Sequence, residues 1–415
     1  MIVTAVIAEY NPFHNGHAWQ LMKARELTGA DYLIVLMSGD FVQRGTPALL
    51  DKHVRAKMAI LGGADLVLEL PCMFSTGSAQ YFSRGAVSLL DALSCVGFLC
   101  FGSECGEISP FLILSDILCK EPSDYQEVLQ QLLRRGYSFP SARNKALVEY
   151  CTKNPKHLQG MTPGELNDFL QWPNNILGLE YCQALLACHS AIQPVTISRQ
   201  GSSYHEEQLP GDEQIFPSAT AIRTAIRSGS DPELLHAGIP KKSYPLLANA
   251  LEANALLFED DFNLLLAAKL LTETPKSLSS YFDITEDLAN RIYRHKNEFT
   301  GIRQFTALLK TRELTYSRIS RGLLHILLNL REVQPPSYER VLGFQKTAGP
   351  LLSSITKNST LPLITKPALA QENLSEAAFS AFAQDIYAAN LYETVRSQKN
   401  GTPFLHEYQK PLVLL

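Results

Sequence analysis

Ile2-Val3-Thr4-Ala5-Val6-Ile7-Ala8-Glu9-Tyr10-Asn11-Pro12-Phe13-His14-Asn15-Gly16-His17 decides the reading of this chain. Ile2 to Ala8 is a short apolar run rich in β-branched residues, as expected of a strand buried on both faces of a parallel sheet. It has no basic leader and runs straight into Glu9, so we read it as a strand and not as a signal peptide. From Gly16 to Leu27 the apolar residues Ala18, Leu21, Met22 and Leu27 have roughly helical spacing. The turn from Tyr10 to Asn15 therefore lies between strand and helix, at the carboxyl edge of the sheet, where folds of this kind bind ligands. Gly16 lets a phosphate approach, the first helical amides point outward, and His14 and His17 can donate hydrogen bonds to developing phosphoryl charge. A metal pair and a satisfied structural pair remain alternatives for two histidines taken alone.

Working outward, Asp31 to Met37 completes a βαβ unit. The pattern recurs with a helix over Lys52 to Leu61, a strand at Asp65 to Leu70, a helix over Ser78 to Leu93 and a strand at Gly97 to Phe101. A Rossmann-like, doubly wound parallel sheet is the economical α/β fold. Beyond Gly106, three amphipathic stretches (Phe111 to Cys119, Tyr125 to Arg135, Ser141 to Lys153) predict a helical insertion over about 106–170. Pro194 to Ser198 reads as a late strand and Ser218 to Ser228 as a helix. The catalytic domain is expected to span 1–235. Residues 236–415 are expected to form a mainly α-helical domain, with helices over Tyr244 to Phe258, Asp261 to Leu271, Glu286 to Lys296 and Tyr316 to Leu330. Pro335-Pro336 and Pro362 to Pro367 read as loops.

The composition suits an ordinary globular protein: 415 residues, 46% hydrophobic, 19% charged, formal net charge −4. That length implies two domains. The charge argues against nonspecific coating of nucleic acid, while leaving room for one basic face. Eight cysteines contain no C-x-x-C pair, and several sit in apolar runs, so buried reduced thiols are expected. No apolar run is long enough for a membrane span, and a cytoplasmic location is the default expectation.

Other stretches carry chemistry at the same sheet edge. Ser38-Gly39-Asp40-Phe41-Val42-Gln43-Arg44-Gly45 follows the second strand. Its Ser38, Gly39, Gln43 and Arg44 are candidates for holding a small carboxylate, Arg44 through paired charge-assisted bonds. Lys52, Arg55 and Lys57 cluster at the next helix start. Phe101-Gly102-Ser103-Glu104 ends the fourth strand, and Pro173-Asn174-Asn175 resembles a capped helix entry whose asparagines can reach a nucleotide. Ser218 is a good N-cap, Thr220 sits in the first turn and Arg223 projects near the same end, offering hydroxyls, amides and a guanidinium to phosphate. Residues 300–346 carry eight Lys or Arg against three acids, with Tyr316 and Tyr338 interleaved. Arg312, Arg318, Arg321 and Lys346 are the candidates there for an RNA backbone, against the simpler reading of a solvated helix face.

The His-x-Gly-His turn after a first Rossmann-like strand resembles the nucleotidyltransferase superfamily, as does the Ser218-Ala219-Thr220-Ala221-Ile222-Arg223 helix start. Glu9 to His17, Met37 to Phe41, Phe101 to Glu104, Pro173 to Gly178 and Ser218 to Thr220 together resemble, in order and spacing, the bacterial tRNA(Met) cytidine acetate ligase family over the whole chain. The resemblance implies that acetate and ATP form acetyl-adenylate, without acetyl-coenzyme A. The acetyl group then passes to the wobble cytidine of elongator tRNA(Met), giving N4-acetylcytidine. It implies a nucleotide site made of Ile7, Ala8, Glu9, Tyr10, Asn11, Pro12, Phe13, His14, Asn15, Gly16, His17, Gln20, Gly102, Asn174 (or Asn175) and Arg199, joined by Ser218, Thr220 and Arg223. Catalytic roles fall on His14, His17, Arg44 and Thr220, and ATP is expected to come with magnesium and no protein metal site. One departure from the family pattern is that Ser198 and Gln200 flank Arg199 before Gly201-Ser202-Ser203-Tyr204-His205, where the family is more basic. No Lys-Met-Ser-Lys-Ser-type loop is present, which favours the compact branch of the superfamily. The rival readings are an adenylyltransferase that makes a small nucleotide cofactor, and a noncatalytic RNA-binding protein with a regulatory nucleotide pocket.

Overall fold

The computed structural model describes residues 1–199, 217–229 and 232–415. Gln200 to His205 and the rest of the polar loop before Ser218 lie outside them. The strands are β1 (Val3–Ala8), β2 (Tyr32–Ser38), β3 (Phe41–Val42), β4 (Thr46–Pro47), β5 (Leu66–Leu70), β6 (Phe98–Ser103), β7 (Gln193–Ser198), β8 (Glu339–Phe344), β9 (Leu363–Ile364) and β10 (Val413–Leu414). One sheet runs β10-β8-β5-β2-β1-β6-β7, with β9 beside β8. Residues Val3 to Ala8 pair in parallel with Tyr32 to Met37, and β5, β6 and β7 extend the parallel set. The central strands are apolar and almost solvent-free, with Val3, Ala5 and Val6 at 0% exposure, as strands covered on both faces must be.

Chain order reverses at β1: the chain first builds outward through β2 and β5, then returns to place β6 on the other flank. Diverging crossovers leave a crevice at the carboxyl ends of β1 and β6, where doubly wound sheets bind ligands. Helices Ser109–Lys120, Ser123–Arg134, Phe139–Lys153, Pro163–Phe169 and Pro173–Ala187 are inserted between β6 and β7. Leu114, Ala146, Leu166 and Leu179 join their faces to the sheet's main core.

Three strands of this sheet come from the far end of the chain, where the sequence pattern predicts helices and loops. β8 pairs antiparallel with β5, β9 forms in the proline-flanked stretch read as a loop, and β10 pairs with β8. Helices still dominate that part, including Glu376–Asn400, which is 25 residues long. β8 escapes the pattern because it begins with Glu339 and Arg340 and both are buried. The Arg340 guanidinium is neutralised by Glu69, 2.9 Å away, and Glu407, 2.5 Å away. A charge deep in a sheet is tolerated only when paired, and those partners are remote in sequence.

The eight cysteines are free; Cys72, Cys100, Cys151 and Cys182 are buried, whereas Cys119 and Cys188 are exposed. No helix among the described residues is long and apolar enough to cross a membrane.

Candidate active site

The His turn is built by its own side chains. Helix Asn15–Thr28 starts at His14, whose Nδ1 accepts the Gly16 amide at 3.1 Å, while His17 Nδ1 accepts the His14 amide at 3.3 Å. The rings stack with centroids 3.7 Å apart. A nitrogen that accepts a backbone N–H carries no proton, so both imidazoles are held as the tautomer with hydrogen on Nε2. Burial lowers both from their ordinary range, His14 to about 3 and His17 well below normal, with Arg199 and, for His14, Arg223 adding to the effect. At neutral pH the pair is therefore uncharged and offers two Nε2–H donors. Tyr10 and Phe13 brace it from behind, edge to face at 4.8 Å. Asn15 ties the turn to the Ala237 carbonyl at 2.7 Å.

Around it opens a cleft of about 230 Å³ at the sheet's carboxyl edge. Of the anticipated site residues, Ile7, Ala8, Glu9, Tyr10, Asn11, His14, Gly16, His17, Gln20, Gln43, Arg44, Gly102, Asn174, Arg199, Ser218, Thr220 and Arg223 line this one cleft. Pro12, Phe13 and Asn15 do not line it; they shape the turn. Ser38 and Gly39 lie behind the wall. Their carbonyls accept from Arg55, which also holds the Glu9 carbonyl at 2.7 Å and the Leu50 carbonyl at 2.9 Å. Lys52, from the same cluster, is buried against Glu69 at 2.7 Å, so neither cation faces the cleft.

The two asparagines differ in burial. Asn175 is fully buried and its Oδ1 accepts the Glu104 amide, whereas Asn174 faces the cleft and accepts from Arg199 at 2.9 Å. Glu104 caps helix Pro173–Ala187 by accepting the Asn174 and Asn175 amides and the Asn174 side chain, a favourable place for a carboxylate. Ser218 accepts the Ala221 amide at 3.1 Å, as expected of an N-cap. Arg223 reaches the Asn11 carbonyl at 2.6 Å and Thr220 Oγ1 at 3.1 Å. The helix start is thus fastened to the His turn.

The apolar lining also includes Trp19, Phe82, Tyr181 and Ile197, which the sequence pattern does not mark, beside Val42, Phe101 and Leu177 from the stretches singled out above. On helices and strands their spacing marks them as core, and only the crevice exposes one edge of them. Glu9 is held by the Gln43 amide on Oε1 at 2.7 Å; burial raises its carboxyl despite that bond and nearby Arg44, Arg223 and Arg55. Among the described residues no cluster of three or more His, Cys, Asp or Glu could hold a metal ion.

The basic stretch over 300–346 does not form one face. Arg340 and Tyr338 are buried. Arg321 is paired with Asp283 at 3.0 Å, with Arg318 4.0 Å from the same carboxylate. Arg312 and Lys346 are exposed.

The model of the HIGH nucleotidyl transferase family matches residues 1–404. Relatives named tRNA(Met) cytidine acetate ligase include those of Clostridium acetobutylicum, 37% identical with all of both chains covered, and Clostridium tetani, 38% identical over 96% of this chain and 97% of that one. This chain belongs to the tRNA(Met) cytidine acetate ligase family. Two crystal structures of a similar protein, Thermotoga maritima TmcAL, superpose over the full length of both chains. The apo form has a TM-score of 0.92 at 31% identity, and the form bound with α-thio ATP has 0.90 at 32%. The structural match covers the whole chain, including the β8 to β10 region that local patterning did not reveal.

Proposed function

We propose that this protein is an ATP-dependent ligase that joins acetate to a cytidine of tRNA(Met) through an acetyl-adenylate, and that the cleft beside His14 and His17 performs both steps. The observation that carries the reading is the neutral, Nε2–H-donating histidine pair, set in one cleft with Arg199, Arg223, Ser218 and Thr220. An acetate oxygen attacks the α-phosphorus in line. The imidazoles donate to phosphoryl oxygens as charge grows, and Thr220 with Arg223 steadies the departing pyrophosphate. Gln43 and Arg44, on the loop joining β3 to β4, hold the acetate carboxylate. Among the described residues the donor set of the cleft is cationic with one acid, Glu9, which does not fit a protein-held metal; magnesium would arrive with the triphosphate.

The tRNA must splay its cytidine into the cleft, gripped from residues 236–415 with Arg312 and Lys346 as exposed contacts. Arg318 and Arg321, engaged by Asp283, serve that part's packing. A cytoplasmic setting, where ATP and tRNA coexist, belongs to the same proposal.

The test is incubation with ATP, labelled acetate and total tRNA, followed by nucleoside analysis. Label in N4-acetylcytidine is expected. Turnover without tRNA would favour an adenylyltransferase, and ATP binding without pyrophosphate release a regulatory pocket. His17→Ala should lower acetate-dependent exchange of pyrophosphate into ATP by about 100-fold or more; normal exchange would remove the histidine from the mechanism.

A further inference from the structure

Glu9 is out of place in a cleft for anions. Triphosphate and acetate are both negative, and a carboxylate among Arg44, Arg199 and Arg223 repels either. A half-buried acid lining such a site is matched by a partner that brings protons.

Its orientation is set from both ends. The Glu9 carbonyl accepts from Arg55 at 2.7 Å and Oε1 accepts the Gln43 amide at 2.7 Å. Oε2 has no hydrogen-bond partner among the described residues, and Glu9 lines the cleft. The flanking surface is aromatic: Phe82, Phe101 and Tyr181 line the same cleft, and the Phe101 and Tyr181 rings lie 5.8 Å apart. Tyr181 is near enough for the Glu9 charge to help raise its phenol, after burial. A flat base with an exocyclic amine matches an aromatic surface beside a hydrogen-bond acceptor.

We propose that Glu9 recognises the exocyclic amine of the acceptor base and takes its proton during acyl transfer. This rests on the ligase reading above and names the residue that performs its second step. The amine nitrogen attacks the acetyl carbonyl carbon of the mixed anhydride, forming the C–N bond. The bond from that carbon to the phosphate oxygen breaks and AMP leaves with the electron pair. One amine proton moves to Glu9 Oε2 and passes to water after release. The groups facing Glu9 are Arg44 on the β3–β4 loop, Arg55 and Arg223 on their helices, and Tyr181; His14 and His17 share the cleft as neutral rings. Burial raises the carboxyl above its ordinary range despite those arginines, which makes it a stronger base than a free carboxylate.

The experiment compares Glu9→Gln and Glu9→Asp with the unmodified protein in two assays over pH 5.5 to 9. These are acetate-dependent pyrophosphate exchange, and single-turnover transfer of labelled acetyl to tRNA. Glu9→Gln keeps an oxygen for the Gln43 amide. Transfer should fall about 100-fold or more, exchange at least tenfold less than that, and the rise of transfer with pH should disappear. Glu9→Asp should restore part of the rate together with its pH dependence. Equal losses in both assays, or transfer by Glu9→Gln near the unmodified rate, would overturn the inference. An unmodified protein that exchanges but labels no cytidine would overturn the ligase reading itself, and this inference with it.

Discussion

His14 and His17 each use one ring nitrogen to cap a helix, and this is what leaves the other available for a ligand. Asparagine or serine would cap the helix equally well, but only imidazole keeps a second donor on the far side of the ring. The arrangement has a cost that pH exposes. His14 is held at about 3 in the folded protein against about 6.5 in an unfolded chain. Between those values the unfolded chain binds more protons, so stability falls as pH drops through that window, by up to about 1.4 kcal/mol per pH unit for each such group. His14→Asn retains a cap and removes this titration. Its urea midpoint should decline less than that of the unmodified protein between pH 7 and pH 4; parallel declines would show that His14 is already accessible to protons. Chemical type and spacing made these two residues legible in the sequence. Asn174 and Asn175 were not separable there, because helical rotation into or away from a cleft depends on what the helix packs against.

At the scale of elements, the β3–β4 hairpin is the part of the site most dependent on a distant neighbour. Its loop carries Gln43 and Arg44. Gly45 stands at φ +77°, where a Cβ would lie 2.3 Å from the Arg321 amide nitrogen, and its carbonyl accepts Ser320 Oγ at 2.9 Å. Helix Tyr316–Leu327 therefore presses on the hairpin through a gap that only glycine leaves. Gly45→Ala should lose roughly 1–3 kcal/mol from backbone strain alone, with more from the clash. Because Arg44 is adjacent, the KM for acetate should rise in the exchange assay. Gly29→Ala is the control: φ is +65° there too, but nothing lies within 4 Å of the added Cβ. Its melting temperature should drop less and its KM should stay put. A Gly45→Ala protein no less stable than Gly29→Ala would contradict this contact.

At the scale of the whole molecule, a buried charge network closes the chain on itself. Lys52, Glu69, Arg340 and Glu407 are each 4% exposed or less. Glu407 lies 3.1 Å from Lys52, 2.9 Å from His53 and 2.5 Å from Arg340. Without Glu407 the buried cations Lys52 and Arg340 must share Glu69, with Asp40 3.8 Å from Lys52, and His53 loses its carboxylate; breaking a buried pair in this way costs about 3–5 kcal/mol. Glu407→Gln should lower the unfolding free energy by that order in urea titrations and make the segment around β10 more susceptible to proteolysis. A loss below about 1 kcal/mol would show that water reaches the network.

By itself the sequence determined the parallel core strands, the helices that alternate with them, and the histidine, Ser-x-Thr and arginine chemistry at one edge. Those signals are carried by residues within one strand or two turns of each other, where periodicity and side-chain type act directly. Only the tertiary structure decided that β8, charged at its start, enters the sheet, that Arg318 and Arg321 turn to Asp283, and that Phe82 and Tyr181 show an edge to the cleft. In each case the deciding partner is remote along the chain, and the energy of a buried charge or ring depends on that partner.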